Sequence, residues 1–129
     1  MSTTGTRILI ADDKRATAFT LGKLLESHGH EVRVVLNGLA AMDGVRDFQP
    51  RIVLLDIGMP GMDGHEVTQQ IRREFGNDSM VVAIISGHGE EADKALSRRA
   101  GANYHLTKPI NFDDLWAIVN QASEDHQQV

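Results

Sequence analysis

The chain has 129 residues, a formal net charge of −5 and no cysteine, with 41% hydrophobic and 24% charged residues. This length suits one domain with one core, the acidic balance gives no basic footprint for nucleic acid, and the lack of cysteine excludes disulfides, a thiol nucleophile and cysteine-ligated zinc. No apolar run is long enough to span a bilayer, and residues 1–6 lack the core of a signal peptide, so we expect a cytoplasmic protein without membrane contact.

Five apolar runs predict five β-strands. The runs at residues 7–11, 52–55 and 81–85 are continuous and rich in branched residues, which is typical of strands covered on both faces. Residues 31–35 alternate charged and apolar side chains, and residues 103–106 are short and mixed. These two runs are therefore predicted as the edge strands of the sheet.

Helical periodicity separates the five runs. Four stretches carry apolar residues three and four positions apart, the spacing of one helix face; they are marked by Leu21, Leu24 and Leu25, by Ala41, Met42, Val45 and Phe48, by Val67, Ile71 and Phe75, and by Leu115, Ile118, Val119 and Ala122. The fourth helix in chain order, at about residues 90–100, has a weaker apolar face made of Ala92, Ala95 and Leu96. This weak face predicts a mobile element.

The alternation of strands and helices predicts an α/β fold. Parallel strands with helices on both faces give a flavodoxin-like (βα)5 three-layer sandwich, and the two edge-like strands favour the order 2-1-3-4-5. Five units are too few for an eight-fold barrel. We predict a single domain over residues 1–129, with a core at about 7–122 and polar tails at 1–6 and 123–129.

Polar residues follow the predicted strands where parallel strands place their ligands. Asp12 and Asp13 follow the first strand, Asp56 the third, Ser86 the fourth and Lys108 the fifth. Three neighbouring carboxylates repel one another unless a positive charge intervenes. Mg²⁺, with Mn²⁺ as a substitute, prefers oxygen ligands, and a lysine adds a second positive charge. One carboxylate can then attack phosphorus to form an aspartyl phosphate.

Four segments in order resemble response regulator receiver domains of two-component signalling. They are ILIADD at 8–13, LLDIGMPGMDG at 54–64, IISG at 84–87, and the stretch 101–109, which begins Gly-Ala and ends Lys-Pro. The resemblance spans about residues 7–122. Within the family, these segments are similar to those of receivers attached to hybrid sensor kinases. It implies the same flavodoxin-like fold that the periodicity predicts.

The resemblance implies roles at the phosphoryl group. Asp56 matches the phosphoacceptor, Lys108 the phosphoryl-binding lysine, and Ser86 the switch hydroxyl. Gly87 matches the small residue that leaves the site open. Pro109 follows the lysine, where the family often has a cis peptide bond.

The resemblance also implies a Mg²⁺ site. Asp13 matches a direct ligand, and Asp12 matches the acid that acts through a metal-bound water. The carboxylate of Asp56 and the backbone carbonyl of Gly58 complete the implied set of protein ligands.

Two positions depart from the family pattern. His105 stands where receivers often have tyrosine or phenylalanine, and Tyr104 beside it points to the opposite face of the strand. We hypothesise that His105 replaces this aromatic switch and adds pH sensitivity. We also hypothesise that Gly58 and His88, two residues after the acceptor and the switch serine, tune hydrolysis. His65 is predicted to lie on the surface.

The implied function is that of a phosphoacceptor and not of an enzyme with a separate substrate. A histidine kinase or histidine phosphotransfer protein would supply the phosphoryl group, and the face formed by helix 4, strand 5 and helix 5 would switch and bind an unidentified downstream protein. The resemblance leaves a phosphorylation-dependent homodimer open. No direct binding to nucleic acid or membrane is expected.

Three alternatives stay open at this point. A phosphatase of the haloacid dehalogenase type would place a second aspartate two residues after its nucleophile, where this chain has Gly58. A phosphorylation-independent interaction module would not need the site residues that are present. A flavodoxin-like FMN binder would need a phosphate loop after the first strand, and the chain has none there.

Overall fold

Five strands and five helices alternate along the chain in the predicted order. The structure, a computed structural model, describes residues 5–127. The elements are β1 Arg7–Ala11, α1 Arg15–Ser27, β2 Glu31–Val35, α2 Gly38–Phe48, β3 Ile52–Asp56, α3 Gly64–Phe75, β4 Val81–Ser86, α4 Glu91–Ala100, β5 Tyr104–Thr107 and α5 Phe112–Gln127. Within residues 5–127, no helix has the length and apolar content to cross a membrane.

The five strands form one parallel sheet in the order β2-β1-β3-β4-β5, which confirms the predicted fold class and edge strands. Side chains alternate between the two faces of the inner strands, because successive residues of a strand point in opposite directions. Leu9 and Val53 pack with residues of α2 and α3, whereas Ile8 and Ile52 pack with residues of α1 and α5. The helices therefore lie in two layers around a central sheet.

β3 and β4 each run one residue further than predicted. Asp56 is the last residue of β3 and Ser86 the last residue of β4, so both functional candidates are fixed by strand pairing. The pairing continues past the strand ends, since the Ile57 amide donates to the Ile85 carbonyl at 3.0 Å and the Lys108 amide to the Ser86 carbonyl at 2.8 Å. This end of the sheet is a regular scaffold for the residues that it carries.

Residues next to the predicted core of 7–122 also belong to the folded structure. Thr6 is buried, and its hydroxyl forms a hydrogen bond with the hydroxyl of Ser123. The carbonyl of Thr6 also accepts from the amide of Glu31 at 3.1 Å, and α5 continues through residue 127. The remaining tail positions, residues 1–4 and 128–129, lie outside the described residues.

The buried face of α4 differs from the predicted one. Its buried residues are Ser97 and Ala100, while Leu96 is 48% exposed. Phe75 at the end of α3 is likewise exposed rather than part of the apolar face. The apolar spacing was misleading in α4, because a buried serine does not count in a hydrophobic pattern.

Candidate functional site

The carboxyl ends of β1, β3 and β4 and the residue after β5 meet at one edge of the sheet. Carboxylate oxygens of Asp12, Asp13 and Asp56 all lie within 4.8 Å of one another. Nζ of Lys108 lies 3.1 Å from Oδ1 of Asp56. The structure thus brings together the predicted acidic residues and the lysine.

Asp56 is the most enclosed acidic residue of the site. Its exposed fraction is 5%, and its Oδ1 accepts a hydrogen bond from Lys108. A buried carboxylate needs such a partner, because burial without one disfavours the charged form. The hydrogen bond from the ammonium of Lys108 therefore offsets part of the cost of burying this carboxylate.

The adjacent acids Asp12 and Asp13 have different surroundings. Asp12 is buried and accepts a hydrogen bond from the amide of Lys14 at 2.9 Å, whereas Asp13 is exposed. Burial is the main factor that raises the pKa of Asp12 above its ordinary value, and the neighbouring Asp56 carboxylate raises it further. The Lys14 amide and the charge of Lys108 lower it in part.

These donors fit a hard divalent cation. Three carboxylates provide the oxygen ligands that Mg²⁺ prefers, and the repulsion between them is a strain that a bound cation relieves. Gly58 follows β3 in the adjoining loop, and a side chain at this position would meet no atom within 4 Å. The site is therefore open beside the loop that carries the predicted carbonyl ligand.

The predicted switch residue Ser86 ends β4, which pairs with the strand that carries Asp56, and Gly87 and His88 follow in the next loop. Ser86 is buried, and its Oγ accepts a hydrogen bond from the amide of His88 at 3.0 Å. Gly87 is exposed, and a Cβ there would meet no atom within 4 Å, in keeping with the predicted open approach. The side chain of His88 is exposed, so a role in hydrolysis stays a prediction.

His105 is half-buried and uses both ring nitrogens. Nδ1 lies 2.7 Å from Oγ of Ser97, and Nε2 lies 2.9 Å from the carbonyl oxygen of His88. Tyr104 is 39% exposed, as expected for the opposite face of β5. Whether His105 replaces the aromatic switch, and responds to pH, stays a hypothesis.

Sequence reasoning missed Ser97 and misplaced His65. His65 is half-buried on α3 rather than fully exposed, and its Nε2 lies 3.3 Å from Oγ of Ser97. The available signal was the pairing of Ser97 with Ala100 three positions later, which puts both on one helix face. That signal is weak without knowledge of the neighbouring helix.

A cavity of about 560 Å³ adjoins the acidic site between α1 and the start of α5. Asp12, Asp56 and Lys108 contribute to its lining, together with apolar side chains that include Leu24 and Phe112. The peptide bond between Lys108 and Pro109 is cis, as the resemblance implied. This cavity was not predicted, since its walls come from segments distant in the chain.

Comparisons with known proteins agree with this geometry. The profile of the family described as "Response regulator receiver domain" matches residues 8–120. Protein PilH of Pseudomonas aeruginosa is 36% identical over 114 residues, which cover 88% of this chain and 94% of PilH.

Two solved structures share the fold. The receiver domain of a Francisella response regulator gives a TM-score of 0.87 at 24% identity, covering 95% of this chain and 99% of that one. A response regulator receiver domain protein from Methanospirillum hungatei gives a TM-score of 0.85 at 24% identity, covering 97% and 98%. The resemblance to receivers of hybrid sensor kinases stays a prediction.

Proposed function

We propose that this chain, which belongs to the response regulator receiver domain family, accepts a phosphoryl group on Asp56 from a phosphohistidine partner and later loses it by hydrolysis. The observation that carries the proposal is the buried Asp56 carboxylate, bonded to Lys108 at 3.1 Å and grouped with Asp12 and Asp13. The chain acts in this proposal as a phosphoacceptor and not as an enzyme on a separate substrate.

The transfer needs a nucleophile, charge neutralisation and a hydrogen-bond donor. An oxygen of Asp56 forms a bond to phosphorus while the bond from phosphorus to the donor imidazole nitrogen breaks, and the electron pair leaves with that nitrogen. Lys108 neutralises charge on the phosphoryl oxygens. Ser86, at the end of the neighbouring strand, donates a hydrogen bond from its hydroxyl to one of them.

The acidic cluster is the proposed metal site. Asp12, Asp13 and Asp56, with the backbone carbonyl of Gly58, would hold Mg²⁺, and Mn²⁺ would substitute because it takes the same oxygen ligands. Bound Mg²⁺ supplies positive charge against the oxygens of the transferring group. The carboxylates of Asp12 and Asp13 would hold that charge near Asp56.

The cavity between α1 and α5 is the proposed approach for the partner. It borders Asp56, and its other walls are largely apolar, including Leu24 and Phe112. A histidine kinase or phosphotransfer protein would place apolar side chains there while its phosphohistidine faces Asp56. Phosphorylation would then shift a two-state equilibrium of the face formed by α4, β5 and α5, which a downstream protein reads.

Intact-protein mass after treatment with acetyl phosphate tests the proposal. The wild type should gain one phosphoryl group with Mg²⁺ and lose this gain when a chelator removes the metal. Asp56→Asn should gain none, while Asp47→Asn, which changes an exposed aspartate on α2, should behave as wild type. Equal labelling of wild type and Asp56→Asn would contradict the assignment of the acceptor.

A phosphohistidine donor protein extends the test. If neither acetyl phosphate nor the donor labels the folded wild type, the phosphorylation-independent interaction module becomes the better explanation.

Phe112→Ala should slow transfer from the donor protein more than transfer from acetyl phosphate, because only the protein donor fills the cavity.

A further inference from the structure

A chain of hydrogen bonds runs from α3 to the switch serine. It joins His65 of α3 to Ser97 of α4 at 3.3 Å, Ser97 to His105 of β5 at 2.7 Å, and His105 to the carbonyl of His88 at 2.9 Å. The amide of the same His88 donates to Oγ of Ser86 at 3.0 Å. The five residues, which lie on α3, α4, β5, β4 and the loop after β4, thus form one continuous path.

The directions of these hydrogen bonds follow from one carbonyl group. The carbonyl of His88 can only accept, so Nε2 of His105 carries the proton. In the neutral ring, Nδ1 of His105 is then an acceptor, and the Ser97 hydroxyl must donate to it. The Ser97 oxygen is left to accept from Nε2 of His65. Each member therefore fixes the proton position of the next.

The last link decides how Ser86 presents its proton. Its Oγ already accepts from the His88 amide, and no contact among the described residues uses its own proton. A hydroxyl whose acceptor side is occupied has fewer orientations, and its proton is free for a phosphoryl oxygen on Asp56. This arrangement prepares the donor before the charge develops, which is how preorganised sites stabilise a transition state.

The loop that carries His88 has little freedom beside β5. A Cβ on Gly89 would lie 2.4 Å from Oγ1 of Thr107, so the loop backbone is close against the strand. Ser97 is 1% exposed, which keeps water from replacing its hydrogen bonds. The hydrogen bond from His105 to His88 is thus held on one side by packing and on the other by Ser97.

We propose that Ser97 is a positioning residue for phosphoryl transfer, acting on Ser86 through His105 and His88. The inference rests on the proposed function of Asp56. Ser97 never touches the phosphoryl group in this account. Its hydroxyl fixes the His105 ring, the ring fixes the His88 peptide, and the peptide orients the hydroxyl that does touch it.

A double-mutant cycle on the phosphorylation rate tests the proposal, with acetyl phosphate and Mg²⁺ as the reagents. Ser86→Ala should slow phosphorylation about tenfold or more, since it removes a hydrogen bond to a charged group. Ser97→Ala should slow it about two- to tenfold, the range of one ordinary hydrogen bond. In the Ser86→Ala background, Ser97→Ala should have almost no further effect, because the two changes interrupt the same path.

Matched variants separate positioning from stability. Ser97→Thr keeps a hydroxyl and should recover most of the rate, and Ser27→Ala removes an exposed serine hydroxyl on α1 and should leave the rate unchanged. If Ser97→Ala does not fold, His105→Leu replaces it in the same cycle, since it removes both ring nitrogens.

The rates of these variants either support or overturn the positioning role of Ser97. If neither acetyl phosphate nor the phosphohistidine donor labels the folded wild type, the proposed function fails, and a positioning role of Ser97 in phosphoryl transfer fails with it. If wild type is phosphorylated but Ser97→Ala matches its rate, or slows the Ser86→Ala protein by the same factor, Ser97 has no positioning role. Non-additive losses with recovery in Ser97→Thr support the inference.

Discussion

Helices α3 and α4 begin and end alike but are held in different ways. In both, a carboxylate in the first turn accepts from the N-cap amide, two arginines occupy the last turn, and a glycine with positive φ follows. α3 buries Val67, Thr68 and Ile71 against the sheet, whereas α4 buries Ser97 and Ala100. The sequence at the ends sets where a helix lies along the chain, but apolar burial sets how firmly it is attached.

Arg72, in the last turn of α3, connects this helix to the end of α4. Its Nε donates to the carbonyl of Gly101 at 2.9 Å, and its other nitrogens donate to the carbonyl of Met80 and to Oδ1 of Asn103, each at 2.9 Å. α3 thereby fixes the C-terminal end of α4. The first turn of α4 is exposed at residues 90–92, so α4 is held less firmly at its N-terminal end than at its C-terminal end.

Truncation of an apolar residue in each helix should give the largest difference. Ile71→Ala should lower the free energy of unfolding by about 2–5 kcal/mol, because Ile71 is completely buried and leaves a cavity. Leu96→Ala should change it by about 0.5 kcal/mol or less, since Leu96 is 48% exposed. Urea unfolding of both variants measures the difference, and equal losses would contradict the contrast between the helices.

Loss of the Arg72 hydrogen bonds should have the second largest effect on stability. Arg72→Lys should lower the free energy of unfolding by about 1–3 kcal/mol, because an ammonium cannot replace the fork that bonds Gly101, Met80 and Asn103. Arg73→Lys, at the exposed neighbouring position, is the control and should match wild type. Calorimetry of wild type, Arg72→Lys and Arg73→Lys measures their stabilities. Equal stability of Arg72→Lys and wild type would show that the guanidinium fork is dispensable.

Removal of each N-cap side chain should have a smaller effect. The Asp63 carboxylate accepts from the amide of Glu66 at 3.0 Å, so Asp63→Ala should destabilise the fold by about 1 kcal/mol. In α4 the corresponding amide, that of Asp93, donates at 3.0 Å to the backbone carbonyl of Glu90, which any residue supplies, so Glu90→Ala should change stability by less than about 0.5 kcal/mol. Unfolding of Asp63→Ala and Glu90→Ala in guanidinium chloride measures both changes in stability. A larger loss of stability in Glu90→Ala would contradict the prediction.

The exposed ion pair between α2 and α3 should contribute least. The hydrogen bond from Arg46 is the main factor that lowers the pKa of Glu74 below its ordinary value of 4.5. Ionised Glu74 therefore favours the folded state at neutral pH, and this contribution disappears as the pH falls through the lowered pKa. The melting temperature of Glu74→Gln should be slightly below wild type at pH 7 and equal to it in strong acid. High salt should reduce the difference at pH 7, whereas a difference that grows in acid would contradict the sign.

Much of the fold and the site was predictable because both rest on local patterns. β1 and β2 have their predicted bounds, and β3 and β4 differ only by Asp56 and Ser86, which a hydrophobic pattern excludes from a strand. The cluster of acids followed from the rule that ligands lie at the carboxyl ends of parallel strands. The chemical roles of these residues stay predictions until phosphorylation is measured.

The part that was missed depends on contacts between segments distant in the chain. Ser97 and His65 are polar residues on separate helices, and nothing in either local sequence indicates that they pair. The burial of Ser97 follows from the position of α4 over β5, which no periodicity encodes. The same reason explains why Leu96, predicted as a packing residue, is exposed.

The two outer strands of the sheet also determine how copies of the chain can associate. β2 exposes Glu31 and Arg33, with the Arg33 guanidinium 4.7 Å from the centre of the Phe48 ring, and β5 has only four residues before the cis Lys108–Pro109 peptide. Charged side chains, a short edge and a proline all discourage strand addition. Aggregation by growth of the sheet is therefore disfavoured in a crowded solution, and any pairing of two copies is left to the helical faces.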